Sequence, residues 1–215
     1  LYLIDADLAE ASGVSREDIY NAYTGDGGLH GLQRSDYDSY SDYSDAKKEI
    51  ENGQFFTPPS ICQTVAKCIG VGKGDLIADL TCGIGNFFNF MPTENNLYGC
   101  ELDNKAYKVA RHLYPDANIV NQDIRLYQPG ILFDYVLGNP PFNLKWWIEG
   151  SKEIKSQLYY CIKAHELLKP CGIMAIVVPS SFLSDDFIDG NVIADMNTKF
   201  RFLGQFSLPE NAFSA

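Results

Sequence analysis

Short apolar runs alternate with stretches of helical period from residue 57 onward. Leu76-Ile77-Ala78-Asp79-Leu80, Leu97-Tyr98-Gly99-Cys100, Asn118-Ile119-Val120 and Tyr135-Val136-Leu137 are too short for helices. They read as strands. Between them, Ile61, Val65, Cys68 and Ile69 fall on one helical face, and Ala106, Val109, Ala110 and Leu113 on another. Thr57-Pro58-Pro59 predicts a helix start, with a hydroxyl N-cap and proline in the first turn, where its missing N–H costs nothing. A long amphipathic helix is predicted from about Ser151 to Leu168. A fifth strand, opened by Gly172, is predicted over Ile173 to Val178, and a sixth over Phe202 to Phe206. Strands separated by helices imply an α/β fold, a mainly parallel sheet with helices on both faces.

Residues 1–50 read differently. They predict a small helical appendage and an acidic, polar linker in which Asp, Tyr and Ser alternate from Asp36 to Asp45. Asp7 to Ser15 faintly resembles the turn of a helix-turn-helix, but its neighbours are acidic. The expected organisation is therefore an appendage over 1–50 and one catalytic domain over 51–215, a size that 215 residues support. The chain opens Leu1-Tyr2-Leu3-Ile4-Asp5, with no initiator Met and no secretory signal, and reads as cut from something longer. No apolar run approaches the roughly 20 residues of a membrane span.

Charge and cysteine content narrow the chemistry. The net charge is −11, and residues 1–50 hold 4 Lys and Arg against 11 Asp and Glu. The remainder is acidic too, so it lacks the basic surplus of a self-sufficient nucleic-acid binder. Six scattered cysteines with no CxxC pair point to a reducing cytoplasm rather than a disulfide framework or zinc site. His30, His112 and His165 share no metal-ligand spacing, and no metal is expected.

Candidate chemistry collects where the strands end, which is where such sheets bind ligands. Asp79 ends the first strand and leads into the turn Cys82-Gly83-Ile84-Gly85, whose glycines let backbone approach a ligand. The dinucleotide fingerprint would need a third glycine where Phe88 stands, and Asp79 would repel phosphate; it suits an ammonium group. Glu101 ends the second strand, where a carboxylate can accept both hydroxyls of a ribose. Asp123 closes the third and serves either an adenine amino group or a plain helix N-cap. Together these fit an adenosine with a cationic amino-acid tail, S-adenosylmethionine. The fourth strand stops in Asn139-Pro140-Pro141-Phe142. Proline cannot continue a sheet, so this is a rigid lip presenting carbonyl and amide acceptors beside an aromatic face. Such a lip suits an exocyclic amine on a planar heterocycle.

With these motifs in this order, the segment from Gly53 to Ala215 resembles the catalytic domain of S-adenosylmethionine-dependent N6-adenine DNA methyltransferases. It is most similar to those with cofactor motifs ahead of NPPF, including modification subunits of type I restriction systems. Gly53 to Pro58 matches the leading motif, Asp79 to Phe87 the glycine loop, and Tyr98 to Asp103 the ribose motif. Asn121 to Ile124 matches the adenine-contacting motif, Gly138 to Phe142 the catalytic one, and Gly172 to Leu183 the strand and turn that follow. Leu208 to Phe213 resembles a late motif near the target base.

The resemblance implies a Rossmann-like class I methyltransferase fold that transfers a methyl group to adenine N6 in DNA. Asn139, Pro140 and Phe142 would be catalytic. Phe56, Thr57, Asp79, Cys82, Gly83, Gly85, Glu101, Leu102, Asp123 and Ile124 would bind cofactor, and Phe142 and Phe213 would stack on a flipped base. Trp146 and Trp147 would line the entrance or pack a loop. Cys171 after Pro170 superficially resembles the nucleophile of C5-cytosine enzymes, but it lies in a predicted helix-to-strand turn. A seventh strand and a target-recognition region, normal in this family, would lie beyond Ala215. DNA contacts would then come from absent segments or a specificity subunit, in a cytoplasmic protein of bacterial, phage or mobile-element origin. Rival readings are methylation of guanine N2 in RNA or of a protein glutamine amide. An idle cofactor-binding module is another, as a scaffold or an anti-restriction decoy.

Overall fold

The computed structural model describes residues 56–93, 96–142, 144–147, 153–184 and 190–209, with residues 15, 37–39 and 212 besides. Apart from those few positions, the appendage over 1–50 lies outside the described residues, as do Gly53–Phe55 and Phe213.

A five-stranded sheet organises the rest. Its strands are β1 (Ile77–Asp79), β2 (Leu97–Glu101), β3 (Asn118–Asn121), β4 (Phe133–Gly138) and β7 (Leu168–Ile176), in the order β3-β2-β1-β4-β7. Every neighbouring pair is parallel. The helices are α1 (Pro59–Ile69), α2 (Asn104–Leu113), α3 (Ser156–Leu167) and α4 (Gly190–Lys199). Successive strand residues face opposite sides of the sheet. Ile77, Leu97, Ile119 and Leu137 accordingly join one buried cluster with Ile61 of α1 and Val109 and Leu113 of α2. Ala78, Cys100 and Val136 join another with Tyr160, Ala164 and Leu167 of α3. Each fully buried aliphatic side chain of this kind contributes about 1.5–3 kcal/mol. The sheet therefore needs helices on both faces, and has them.

Several boundaries differ from expectation. In α1 the N-cap is Pro58 and no side chain caps it; the Thr57 hydroxyl does not fill that role. Cys68 is exposed, whereas Cys62 is buried. The helix predicted from Ser151 begins at Ser156, because Glu153–Lys155 (β6) pairs antiparallel with Lys145–Trp147 (β5). The fifth long strand starts at Leu168, not after Gly172. Phe133 pairs with Leu168 and Tyr135 with Ile173, so Lys169–Gly172 bulges out of the ladder, with Cys171 exposed at φ 66. That puts Cys171 at the amino end of the sheet, away from the strand ends that carry the motifs. The predicted sixth strand is absent among the described residues. Residues 201–209 carry no strand, and Phe202, Leu203 and Phe206 are 63%, 72% and 76% exposed. A hydrophobic run becomes a strand only when a neighbour takes its backbone hydrogen bonds.

The glycine turn is shaped by aromatic packing. At Gly85, with φ 84, an added Cβ would lie 2.7 Å from the Tyr114 ring, which itself stands edge-on to Phe88. Phe88 thus fills the space a dinucleotide fingerprint would leave open. Gly85→Ala is expected to destabilise the fold by about 2–3 kcal/mol, combining a left-handed backbone with overpacking. Denaturant unfolding of the two proteins checks this; equal midpoints would refute it.

Candidate active site

The carboxyl ends of β1 and β4 bring Phe56, Thr57, Asp79, Cys82, Gly83 and Asn139 to one cavity, and Glu101 reaches it through Gly83; Leu102, Asp123, Ile124 and Phe142 do not line it. In the ladder Asp79 lies opposite Gly99 on one side and Leu137 on the other, so Glu101 and Asn139 each sit two residues beyond its rung. A cavity of about 30 Å³ is walled by Phe56, Asp79, Gly83, Asn86 and Asn139, among others. It joins the leading motif, the glycine turn and the proline lip in one space.

Asp79 is 1% exposed, and its Oδ1 accepts the Thr81 N–H at 3.0 Å. Burial, reinforced by the Glu101 charge, raises its carboxyl to about 8 against the Thr81 hydrogen bond. Near neutral pH it is therefore largely protonated, ready to ionise when a cation arrives. Glu101 is also raised by burial, opposed by backbone N–H groups. Its Oε2 accepts from Gly83 N and its Oε1 from Asp103 N, both at 2.7 Å. This carboxylate ties down the glycine turn and keeps further lone pairs for another donor. Gly83 has φ 56, and a Cβ there would meet the Phe56 ring at 3.0 Å. Phe56 thus lies directly over the turn.

Leu102, just past β2, is 69% exposed and offers an apolar face, whereas Ile124 is buried. Cys82 is buried in the turn, its thiol pushed well above the usual range by burial, which leaves it inert. Asp123 caps the turn Ile124–Leu126 by accepting the Arg125 N–H at 2.8 Å, and it also pairs with the Arg125 guanidinium. That side-chain bond holds its carboxyl below the usual range. An adenine amino group would have to share Asp123 with Arg125.

On the proline lip, Pro140 is buried, while Asn139 and Phe142 are half-buried; the Asn139 Oδ1 atom itself is buried. Phe142 packs against the cluster that contains Phe56. Trp146 meets Tyr159 edge-on at 5.5 Å, which makes it a packing residue. The described part of the late motif ends in a turn, Ala212 N donating to Pro209 O at 2.9 Å, and Ala212 packs on the Phe56 cluster.

Four residues missed by sequence reasoning complete the site. Asn86 Nδ2 donates to Thr57 O at 2.9 Å, fastening the leading motif to the glycine turn. Its Oδ1 is buried and has no hydrogen-bond partner among the described residues. The Thr81 hydroxyl reaches Asn139 O at 3.5 Å, Ser156 Oγ donates to Pro141 O at 2.5 Å, and the Tyr160 hydroxyl donates to Leu137 O at 2.6 Å. A polar residue just past the second glycine was the available signal for Asn86; the other three leave no local trace. Among the described residues no His, Cys, Asp and Glu cluster could hold a metal, and no helix is long and apolar enough to cross a membrane.

A family model described as N-6 DNA Methylase matches residues 40–215. The modification methylase CviBIII of Paramecium bursaria Chlorella virus NC1A is 29% identical over 66% of this chain and 42% of its own length. The defense against restriction protein B of Escherichia phage P1 is 24% identical over 92% of this chain, but only 8% of the phage protein. The type I restriction-modification methyltransferase subunit of Streptococcus thermophilus superposes with a TM-score of 0.53 at 19% identity, over 90% of this chain and 57% of that one. A Listeria monocytogenes protein assigned to the class I S-adenosylmethionine-dependent methyltransferases gives 0.59 at 15% identity, over 89% and 62%. The chain thus spans less than half the length of the viral methylase, and it has the class I methyltransferase fold. From its matched span and the order of its strand-end motifs, the chain belongs to the N-6 DNA methylase family.

Proposed function

We propose that this domain transfers the methyl group of S-adenosylmethionine to the exocyclic N6 of adenine in DNA, as part of a larger restriction-modification-type enzyme. The observation that carries the reading is the shared cavity, where Asp79 and the glycine turn face Asn139 across a space closed by Phe56. The cofactor's tail ammonium fits the walls: Asn86 Oδ1 is a buried acceptor awaiting a donor, and Asp79 is a carboxyl that a cation would ionise. Gly83, lacking a side chain, lets the Phe56 ring pack directly on the turn and close that wall of the cavity.

Bound S-adenosylmethionine supplies an electrophilic sulfonium methyl. Asp79 and Asn86 would hold its ammonium, Glu101 the ribose hydroxyls and Asp123 the adenine amino group, with Leu102 and Ile124 supplying apolar surface for the adenine. Phe56 and Thr57 would cover the methionine end, and Cys82, Gly83 and Gly85 would shape the turn beneath it. Asn139 Oδ1 and the Pro140 carbonyl would accept from the target amino group, favouring a more tetrahedral nitrogen whose lone pair takes the methyl carbon as the carbon–sulfur bond breaks; the neutral thioether leaves, and the surplus amine proton passes to solvent. No covalent nucleophile is required, because in-line alignment supplies much of the rate. The target adenine must leave the duplex, and Phe142 and Phe213 stack on it. With a net charge of −11, this chain leaves most phosphate contacts to other segments or a specificity subunit.

Transfer of labelled methyl to methyl-free duplex DNA by the full-length protein, followed by nucleoside analysis, tests the reading. Label in N6-methyladenine is expected; label only in RNA or protein would overturn it. The likeness to a phage protein named for defence against restriction favours a second reading, an idle cofactor-binding module acting against restriction. Cofactor binding without transfer to any substrate would support it.

A further inference from the structure

Tyr160 is fully buried between the two strands that carry opposite halves of the site. Its hydroxyl accepts from Leu80 N at 3.2 Å and donates to Leu137 O at 2.6 Å. Leu80 follows Asp79 into the glycine turn, and Leu137 lies two residues before Asn139. Tyr135 N donates to Leu76 O, and rungs of a parallel ladder alternate, so the rung beyond the Asp79–Leu137 pair would join Leu80 N directly to Leu137 O. The hydroxyl stands on that rung. From here the strands part: Leu80 turns toward the glycines, whereas Gly138 stays paired with Ile176.

Two more features hold the hydroxyl in place. Gly138 is without a side chain where a Cβ would lie 2.4 Å from the Tyr160 hydroxyl and 2.7 Å from Asp79 Oδ1. Ser156, one helical turn before Tyr160 on α3, donates to Pro141 O. Residues four apart share a helix face, so the first turns of α3 grip the β4 exit at both Leu137 and Pro141.

We propose that the Tyr160 hydroxyl is a wedge between β1 and β4 that sets the distance from the glycine turn to Asn139, making Tyr160 a positioning residue for methyl transfer. The proposal rests on the transfer reaction assigned above. The reactants are divided across this wedge, with donor-holding groups on β1 and β2 and amine-holding groups on β4. A change in its width alters their alignment and leaves each half intact.

The test uses the full-length protein and its Tyr160→Phe variant, with S-adenosylmethionine and methyl-free duplex DNA. Expected is a fall in kcat of roughly 10- to 100-fold, the cost of a misplacement near 1 Å, with cofactor Kd changed less than about threefold. Placing 4-aminophenylalanine at position 160, which restores a donor and acceptor, should recover most of the rate. An unchanged kcat per cofactor-binding site, or a loss carried entirely by Kd, would overturn the proposal. Crystals of both proteins with S-adenosylhomocysteine decide it independently of turnover. Tyr160→Phe should close Leu80 N onto Leu137 O and shift Asn139; an unmoved Asn139 sinks the wedge. Should Tyr160→Phe fail to fold, the 4-aminophenylalanine protein compared with one carrying 4-fluorophenylalanine makes the same comparison. Wild-type protein that transfers no methyl to DNA, with the closure still seen in crystals, would instead count against the reaction.

Discussion

Asn139→Ala is expected to bind S-adenosylmethionine as tightly as the parent protein and to transfer methyl roughly 100- to 1,000-fold more slowly, the usual cost of deleting one preorganised polar group from a transition-state site. Alanine removes the amide and leaves the backbone that positions it. Gly138 O still accepts Val177 N at 2.9 Å, and Ser156 still holds Pro141 O. Pro140 and Pro141 keep the lip rigid without help from the amide. Its Oδ1 is buried and Asn139 lines the cavity opposite Asp79, so under the proposed assignment its loss would fall on the attacking amine and not on the cofactor's tail. Single-turnover methyl transfer alongside calorimetric cofactor titration separates the two. Undiminished transfer would remove Asn139 from the reaction, and lost cofactor affinity would reassign it.

Asp79→Asn should abolish measurable cofactor binding while making the unliganded protein more stable in alkali. The wild-type carboxyl ionises at about 8 when folded, against about 3.9 in an unfolded chain. Between those values the native state holds a proton that the unfolded state has released. Wild-type stability therefore falls as pH rises from about 4 to about 8, then levels off. Asparagine carries no such penalty and can keep the hydrogen bond from Thr81 N. Above pH 8 the variant should exceed wild type by about 1–3 kcal/mol, discounting the full linkage value for relaxation around a buried charge. Below about pH 4 the two should converge.

The same carboxyl predicts the pH dependence of binding. An arriving ammonium lowers the Asp79 pKa and releases its proton, so affinity should rise with pH by up to about tenfold per unit between 6 and 8. Titration calorimetry across that range checks it; a flat profile would mean that Asp79 stays protonated in the complex.

Sequence alone placed the strand ends, and with them most of the candidate site. Asp79, Glu101 and Asn139 each close a run buried on both faces, which can end in a charge or amide only where the sheet opens to solvent or ligand; Asp123 instead follows the edge strand β3, of which only Ile119 is buried. That constraint is local, acting within about five residues, so it is readable without coordinates. The same logic recovered the buried face of α2, whose Ala106, Val109, Ala110 and Leu113 are all inside.

Tertiary structure decided what depends on groups far apart in the chain. Thr57 lost its expected capping role and instead offers its carbonyl to Asn86, 29 residues on. Asp123 is claimed by Arg125, a pairing that depends on a rotamer and leaves no periodic signal. The run over Phe202 to Phe206 has strand composition, but a strand requires a partner for its backbone, which its own sequence does not specify. The Tyr160 hydroxyl acts on Leu80, 80 residues earlier, and its helix periodicity marks it only as inward-facing. Periodicity reports that a side chain is buried; which polar atom it meets there is set by the packing of separate elements against one another.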